Sequence, residues 1–145
     1  MRNAFRAICM ILVCWFVTGC ASMQSSRAPG TDLSTLHTFY VQKLPEDDGS
    51  VVKVISDRLN AMGYQSTYGA GEHPPKETDS IVTYQDRWMW DITMYMIRLT
   101  IQIRDGKSRA ILASAESYRP SLERKSPEGM AEEVLTEIFN PKERK

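Results

Sequence analysis

Side chains capable of chemistry are most closely spaced between residues 84 and 96. Two carboxylates, Asp86 and Asp91, flank Trp88 and Trp90. A carboxylate pair can act as acid and base on a substrate, but spacing along the sequence does not set the separation that this chemistry needs. The tryptophans allow two interpretations. They pack as core or as a lid on the domain, or they form an exposed patch that contacts a ligand, a peptide or a membrane.

Methionines near the tryptophans raise the question of a metal site. Met89, Met94 and Met96 could offer soft ligands to copper(I) together with His37 or His73. Methionines among isoleucine, tyrosine and tryptophan more often fill gaps in a core. We therefore expect no metal and no cofactor, and Met94 and Met96 join the two tryptophans and the two aspartates as candidate binding residues.

Sequence signatures of catalysis are missing from the chain. It contains no Gly-x-Ser-x-Gly nucleophile elbow. Gly69-Ala70-Gly71 runs into Glu72-His73-Pro74 and not into a helix, as a phosphate-binding loop would. We therefore expect a protein that is not an enzyme.

The N-terminal segment has the order of an export signal. Arg2 and Arg6 precede an apolar run over residues 7–17 that is too short to span a bilayer as a helix. Val17-Thr18-Gly19-Cys20 then resembles a bacterial lipobox, in which the cysteine is acylated and the preceding peptide is cut away. A conventional secretory peptide that leaves Cys20 as a free thiol is the alternative.

The net charge of the processed chain follows from this cleavage. The chain has 18 basic and 18 acidic residues, so loss of Arg2 and Arg6 leaves 16 against 18, a net charge of −2. That balance is not the footprint of a nucleic-acid-binding protein. Arg119, Arg124 and Lys125 form a local basic cluster, read either as a solvated loop or as a site for an anionic ligand, and Arg119 is kept as a candidate binding residue.

Four segments are predicted along the chain. Residues 1–19 form the signal peptide, and residues 20–34 carry the lipidated Cys20 and a flexible tether without apolar periodicity. A single domain covers residues 35–140, and residues 141–145 form a basic tail.

Hydrophobic periodicity predicts an α+β fold of order β-α-β-β-β-β-α. Residues 36–41 and 64–68 read as a parallel pair of strands around a helix that Ser50 caps and Gly63 ends. Later strands cover residues from 81, 92–104 and 110–118, with a hairpin at Asp105-Gly106, and a last helix starts at Ser126-Pro127. The prediction is a two-layer sandwich, a mixed four- to five-stranded sheet with two helices on one face.

The long strand contains one irregularity. From Ile97 to Arg104, apolar and polar residues alternate, but Met94 and Met96 lie on the parity that later carries Arg98. Either a bulge reverses the facing or both faces are covered there. Residues 84–91 read as continuous strand, which would place Asp86 among aromatic side chains, or as a wide loop that leaves the tryptophans free.

Several segments together resemble small outer-membrane lipoproteins of Gram-negative bacteria that carry a domain of unknown function. The resemblance lies in Leu36-His37-Thr38-Phe39-Tyr40-Val41, Leu59 to Gly63-Tyr64, Asp79-Ser80-Ile81-Val82-Thr83-Tyr84, Asp86-Arg87-Trp88-Met89-Trp90-Asp91-Ile92-Thr93-Met94-Tyr95-Met96, Leu112-Ala113, Arg119-Pro120-Ser121-Leu122 and Ser126-Pro127. It covers nearly all of the processed chain and implies location and fold, with no catalytic residue. Ala21 after Cys20 is similar to outer-membrane sorting signals.

These observations predict a non-enzymatic accessory or binding module, anchored by lipid to the outer membrane and facing the periplasm. Its partners would be the membrane, through the N-terminal lipid, and an unidentified envelope protein or ligand, with no nucleic acid. The alternative is a carrier of a small ligand or metal, or a hydrolase, that uses a pocket between the sheet and the helices.

Overall fold

The computed structural model describes residues 20–74 and 76–140. The predicted signal peptide over residues 1–19 and the basic tail over residues 141–145 lie outside the described residues.

The described residues form one six-stranded sheet and two helices. In chain order these are β1 (Ser22–Arg27), β2 (Thr38–Gln42), α1 (Ser50–Ala61), β3 (Gln65–Gly69), β4 (Ser80–Asp91), β5 (Thr93–Asp105), β6 (Ile111–Tyr118) and α2 (Pro127–Phe139). The strands lie side by side in the order β1-β6-β5-β4-β2-β3. β2 is parallel to β3 and β4, and the other neighbouring pairs are antiparallel. The predicted α+β fold with a mixed sheet is confirmed, with one strand more than the four to five expected.

The additional strand is β1, and for Ser22–Arg27 the prediction of a flexible tether is wrong. β1 pairs antiparallel with β6, and Ser22 lies opposite Tyr118. Met23 packs against the core, and Arg27 donates a hydrogen bond to the Ile138 carbonyl at 2.7 Å. An edge strand covers only part of a core and therefore needs few apolar residues. The polar sequence of β1 gives no periodic signal for this reason. Only Cys20 and Ala21 precede this strand among the described residues.

Short polar contacts fix the helix ends. The Asp47 carboxylate accepts hydrogen bonds from the backbone N–H groups of Gly49, Val51 and Val52, so Asp47 caps α1 and Ser50, the expected cap, is its first residue. Gly63 has a φ of 95° and ends this helix as predicted. Ser126 caps α2 as predicted, its Oγ accepting from the Gly129 N–H at 3.2 Å.

Both helices cover the same face of the sheet and close a single core. Its fully buried large side chains include Phe39, Ile55, Leu59, Leu99, Ile101, Ile103, Met130 and Leu135. Burying each of them contributes about 1.5–3 kcal/mol to folding. The other face carries the polar residues that alternate with this core, such as Thr100 and Gln102 in β5, and no helix covers it within the described residues.

The irregularity in the long strand is a β-bulge. Arg87 pairs with Arg98, but the next residue, Trp88, pairs with Met96, so Ile97 is an extra residue in β5. The bulge reverses the facing, and Met96 is only 1% exposed in the core. Of the two interpretations of residues 84–91, the continuous strand is confirmed and the wide loop is wrong.

Candidate functional site

The β4–β5 hairpin extends beyond the body of the sheet. Ser22, Tyr118, Arg98 and Arg87 form one transverse row across β1, β6, β5 and β4. Beyond that row, β4 continues for four residues to Asp91. β1 starts and β6 ends in the row itself, so neither strand lies beside the end of the hairpin.

This free end carries the most exposed large apolar side chains of the described residues. Trp90 is 69% exposed, Ile92 85% and Met94 59%. Leu122, in the short turn Ser121–Glu123 after β6, is 90% exposed. We call these four residues the apolar tip. Of the two interpretations of the tryptophans, exposure holds for Trp90, while Trp88, 37% exposed, is half covered.

The turn of the hairpin has an unusual residue at its apex. Asp91 pairs directly with Thr93, and Ile92 alone connects the two strands with a φ of 64°. This left-handed conformation suits glycine or asparagine and is strained for a β-branched residue. An isoleucine here is unfavourable for the fold, and 85% of its surface faces solvent, so packing within the chain does not explain it.

Arg124 joins the hairpin to the turn that carries Leu122. Its guanidinium donates hydrogen bonds to the Asp91 carboxylate and to the Thr93 hydroxyl, each at 3.0 Å. Its central carbon lies 4.1 Å from the centre of the Tyr95 ring, within cation–π distance. The Ser121 hydroxyl donates to the same Asp91 carboxylate at 2.7 Å. These contacts hold Leu122 beside the hairpin and pair the Asp91 charge.

The structure does not bring the two candidate carboxylates together. Asp86 and Asp91 are five positions apart on one strand, about 16 Å, and point to opposite faces. Asp86 accepts a hydrogen bond from the Trp88 indole at 2.5 Å, which is how this carboxylate is satisfied among aromatic residues. The separation exceeds that of the paired carboxylates of glycoside hydrolases.

Arg119 and Met96, two further candidate binding residues, belong to the structure of the domain. Met96 is core, and Arg119 pairs with Glu133 of α2, which also pairs with Lys125 and accepts from the Ser117 hydroxyl at 3.0 Å. Burial alone would raise the pKa of Glu133, but the bonds from Lys125, Arg119 and Ser117 outweigh it and hold the pKa below its usual value. The basic cluster is therefore largely neutralised from within.

The space between the sheet and the helices is filled by side chains, and the large grooves lie elsewhere. An open groove of about 920 Å³ runs between the turn before α1 and the residues of β4 from Gln85 to Trp88. A second, of about 600 Å³, lies on the polar face near His73 and Arg104. Asp86 lines the first groove, but Arg119 does not. Both grooves are open to solvent, unlike the enclosed apolar chamber between the layers that the ligand-carrier alternative needs.

A part-buried hydrogen-bonded pair lies beside the first groove, which Asp47 lines. The Tyr84 hydroxyl donates to Asp47 at 2.5 Å. Burial, together with that bond to a carboxylate, raises the pKa of Tyr84. Burial disfavours the Asp47 carboxylate, but bonds from Tyr84 and from backbone N–H groups at the start of α1 dominate and lower its pKa. The pair holds the turn before α1 against β4.

The described part of the chain has neither a His, Cys, Asp and Glu cluster suited to a metal ion nor a helix suited to cross a bilayer. Residues 20–74 and 76–140 contain no group of three or more His, Cys, Asp or Glu side chains placed to hold a metal ion. Within the same ranges, no helix has both the length and the apolar character needed to cross a bilayer. Cys20 is exposed.

Three residues of the site were not among the candidates from sequence: Ile92, Leu122 and Arg124. Leu122 is a single apolar residue between Ser121 and Glu123-Arg124-Lys125, and an isolated apolar residue gives no periodic signal. Arg124 was recognised only as part of a basic cluster. The sequence predicts Ile92 within a strand, and only its positive φ identifies it as the apex of a hairpin.

Comparison with known proteins identifies similar folds. No protein-family model matches the chain, and no curated protein sequence is significantly similar to it. The PelC dodecamer from Paraburkholderia phytofirmans is 14% identical, over 84% of this chain and 96% of that chain, with a TM-score of 0.55. A PDZ domain protein from Parabacteroides distasonis is 10% identical, over 87% and 36%, with a TM-score of 0.54. A minor lipoprotein from Acinetobacter baumannii matches at 14% identity over 72% and 91%, with a TM-score of 0.41. For the PelC structure and the PDZ domain protein, the similarity at these identities concerns the fold alone.

Proposed function

We propose that this chain is a lipid-anchored, non-enzymatic accessory or binding module of the bacterial outer membrane. The observation that carries the proposal is the apolar tip, since four large apolar side chains at least 59% exposed at one end of a well-packed domain favour a contact surface. The function is then to hold this surface against another component of the envelope.

The anchor is proposed at Cys20. Val17-Thr18-Gly19-Cys20 supports acylation of the cysteine after removal of residues 1–19, and Ala21 supports transfer to the outer membrane with the domain on the periplasmic side. Acylation with two or more chains gives stable membrane attachment where one chain would not.

A binding role is favoured over catalysis by the state of the polar candidates. Asp86 and Asp91 are separated, and each is engaged, the first by Trp88 and the second by Arg124 and Ser121. Arg119 is paired with Glu133. The residues that remain free at the tip are apolar, and apolar side chains bind without supplying acid, base or nucleophile.

The anchor is tested by fractionating cells that produce the full chain and its Cys20→Ser variant. We expect the first in the outer-membrane fraction, with the mass of the acylated mature chain, and the second released from it. A Cys20→Ser protein that stays with the membranes through residues 1–19 would contradict acylation as the anchor.

The contact surface is tested by crosslinking in intact cells with a Trp90→Ser, Met94→Ser variant. We expect crosslinks made by the native tip to be lost while the thermal unfolding transition is retained. Ile111→Ser is the matched control, because Ile111 is 44% exposed at the opposite end of the sheet. Unchanged crosslinks in the tip variant would contradict the proposal. Since the similar PelC structure is a dodecamer, crosslinks between copies of this chain are measured in the same experiment.

A further inference from the structure

We infer that the apolar tip is a second membrane-attachment site, which enters the surface of the same bilayer that holds acylated Cys20. The inference rests on the proposed function and names the partner of the proposed contact surface as a phospholipid surface. It is carried by the strand register, by the reach of the hairpin and by the chemistry of the tip.

The register places Cys20 and the tip at the same end of the sheet. Ser22 lies in the same transverse row as Arg87, through Tyr118 and Arg98. From that row, β4 continues towards Asp91 with increasing residue number, while the antiparallel β1 reaches Cys20 with decreasing number. The two therefore leave the row in the same direction. With three strand spacings between β1 and β4, they are about 14 Å apart across the sheet.

The reach of the two segments brings the tip close to the bilayer that holds the proposed anchor. Cys20 is two residues from Ser22, so it stands at most about 7 Å beyond the row. The hairpin stands about 13 Å beyond the same row, since β4 continues for four residues. The attachment point of the lipid therefore lies nearer to the row than the apex of the hairpin does, which keeps the tip within reach of the bilayer surface. A flexible tether would have removed this constraint, but β1 occupies that part of the chain.

The chemistry of the tip suits the interface of a bilayer. Tryptophan prefers the headgroup level, where its ring is buried and its N–H stays near water, and Ile92, Met94 and Leu122 supply apolar surface. The Asp91 carboxylate, next to Ile92, is paired with Arg124, so insertion of the hairpin turn does not require this charge to leave water unpaired. A protein partner at this end would have to fit between the domain and the bilayer.

Tryptophan fluorescence reports directly on this contact. The chain has three tryptophans, Trp15 in the predicted leader and Trp88 and Trp90 in the hairpin. We propose to produce the full chain with Trp15→Phe, purify the acylated protein and reconstitute it in phosphatidylethanolamine and phosphatidylglycerol vesicles. Brominated acyl chains, which quench only tryptophans inserted in the lipid, are then compared with unbrominated ones. We expect the emission to fall about twofold or more and to shift to shorter wavelength.

Two matched variants separate docking by the tip from general proximity to the bilayer. Trp88→Phe, Trp90→Phe, Ile111→Trp moves the only reporter of the processed chain to the opposite end of the sheet, where we expect no quenching. Ile92→Asp keeps both native tryptophans and adds a charge at the apex, and we expect it to lose most of the quenching. Circular dichroism and the thermal transition of each variant verify its fold.

The outcomes distinguish this inference from the proposed function. Unquenched native tryptophans in an acylated, vesicle-bound protein would overturn membrane docking and leave the binding-module proposal in place, with a protein as partner. Equal quenching at both ends would also overturn it. If the chain is not acylated, mature Cys20→Ser protein is mixed with the same vesicles, with its native tryptophans or with the single reporter at position 111. Quenching of the native tryptophans alone still supports docking, and its absence contradicts docking. An oligomer detected by ultracentrifugation that the Ile92→Asp variant does not form would assign the tip to self-association and would also overturn membrane docking.

Discussion

At the level of single residues, Ile92 is where fold and function conflict. Its φ of 64° favours glycine or asparagine, and a β-branched residue in this conformation is strained by about 1–2 kcal/mol. Its side chain is 85% exposed, so little packing offsets that cost. Contact between the Ile92 side chain and lipid, as inferred above, offsets this cost in the membrane-bound protein.

We expect Ile92→Asn to stabilise the isolated domain while it weakens membrane docking. The free energy of unfolding should rise by about 1 kcal/mol, because asparagine tolerates the left-handed conformation. Urea unfolding followed by tryptophan emission measures the first effect, and quenching by brominated lipid the second. Thr93→Asn, one position along the hairpin, is the control without a positive φ. A loss of stability in Ile92→Asn would contradict the account of strain.

The contacts of Glu133 make the free energy of unfolding depend on pH in the acid range. The folded-state pKa of Glu133 lies below its usual 4.5 because the bonds from Lys125, Arg119 and Ser117 outweigh the effect of burial. A lowered pKa contributes stability that is present above the unfolded pKa and is lost as the pH falls through the folded one. Glu133→Gln should therefore be less stable at pH 7, by about 1–3 kcal/mol. The difference should shrink as the pH falls below 4.5 and through the folded-state pKa of Glu133.

Urea unfolding at pH 7 and pH 3 tests this dependence. Glu132→Gln is the matched control, since Glu132 pairs with Arg58 while its side chain is 57% exposed, and such pairs contribute at most about 1 kcal/mol. An equal deficit of Glu133→Gln at both pH values would exclude ionisation of Glu133 as its cause.

At the level of elements, the hairpin depends on Arg124 for its attachment to the turn that carries Leu122. Arg124→Gln removes the ion pair with Asp91 and the contact with the Tyr95 ring. We expect a loss of about 1–2 kcal/mol in the free energy of unfolding, the sum of one exposed ion pair and one cation–π contact. Hydrogen exchange at residues 93–96 should become faster while exchange in β6 is unchanged.

Arg98→Gln is the control for that substitution. Arg98 also lies over a ring, 5.5 Å from the centre of Tyr118, and next to Glu116, but within the body of the sheet. Faster exchange at residues 93–96 in Arg98→Gln, or unchanged exchange there in Arg124→Gln, would contradict the role of Arg124 in attaching the hairpin.

The elements also show how far sequence alone could lead. Alternation predicted β5, and capping residues predicted α2, because each depends on contacts close along the chain. β1 was missed since its partners, Tyr118 to Ala113, are nearly a hundred residues away and its composition is polar. The site was found only in part. Trp90 and Met94 are at the tip, but Met96 and Arg119 are not, because a single bulge residue and Glu133 decide their surroundings.

For the whole molecule, the link between Cys20 and β1 should set the orientation of the domain. We expect a twelve-residue Gly/Ser insertion between Ala21 and Ser22 to leave stability unchanged and to weaken docking, because a flexible linker lets the tip move roughly 20 Å from the surface. Quenching of Trp88 and Trp90 should fall by a factor of about two or more. The same insertion between Lys107 and Ser108, in the β5–β6 turn, is the control. Undiminished quenching after the first insertion would show that the short link has no role.

Photocrosslinking from position 92 shows whether the apolar tip contacts lipid in the cell. A photoreactive amino acid replaces Ile92 in the full chain, intact cells are irradiated, and the mass of the acylated product is measured. We expect adducts with the mass of a phospholipid, and none when the same group replaces Ile111. Adducts with protein alone at position 92 would rule out lipid as the partner of the tip.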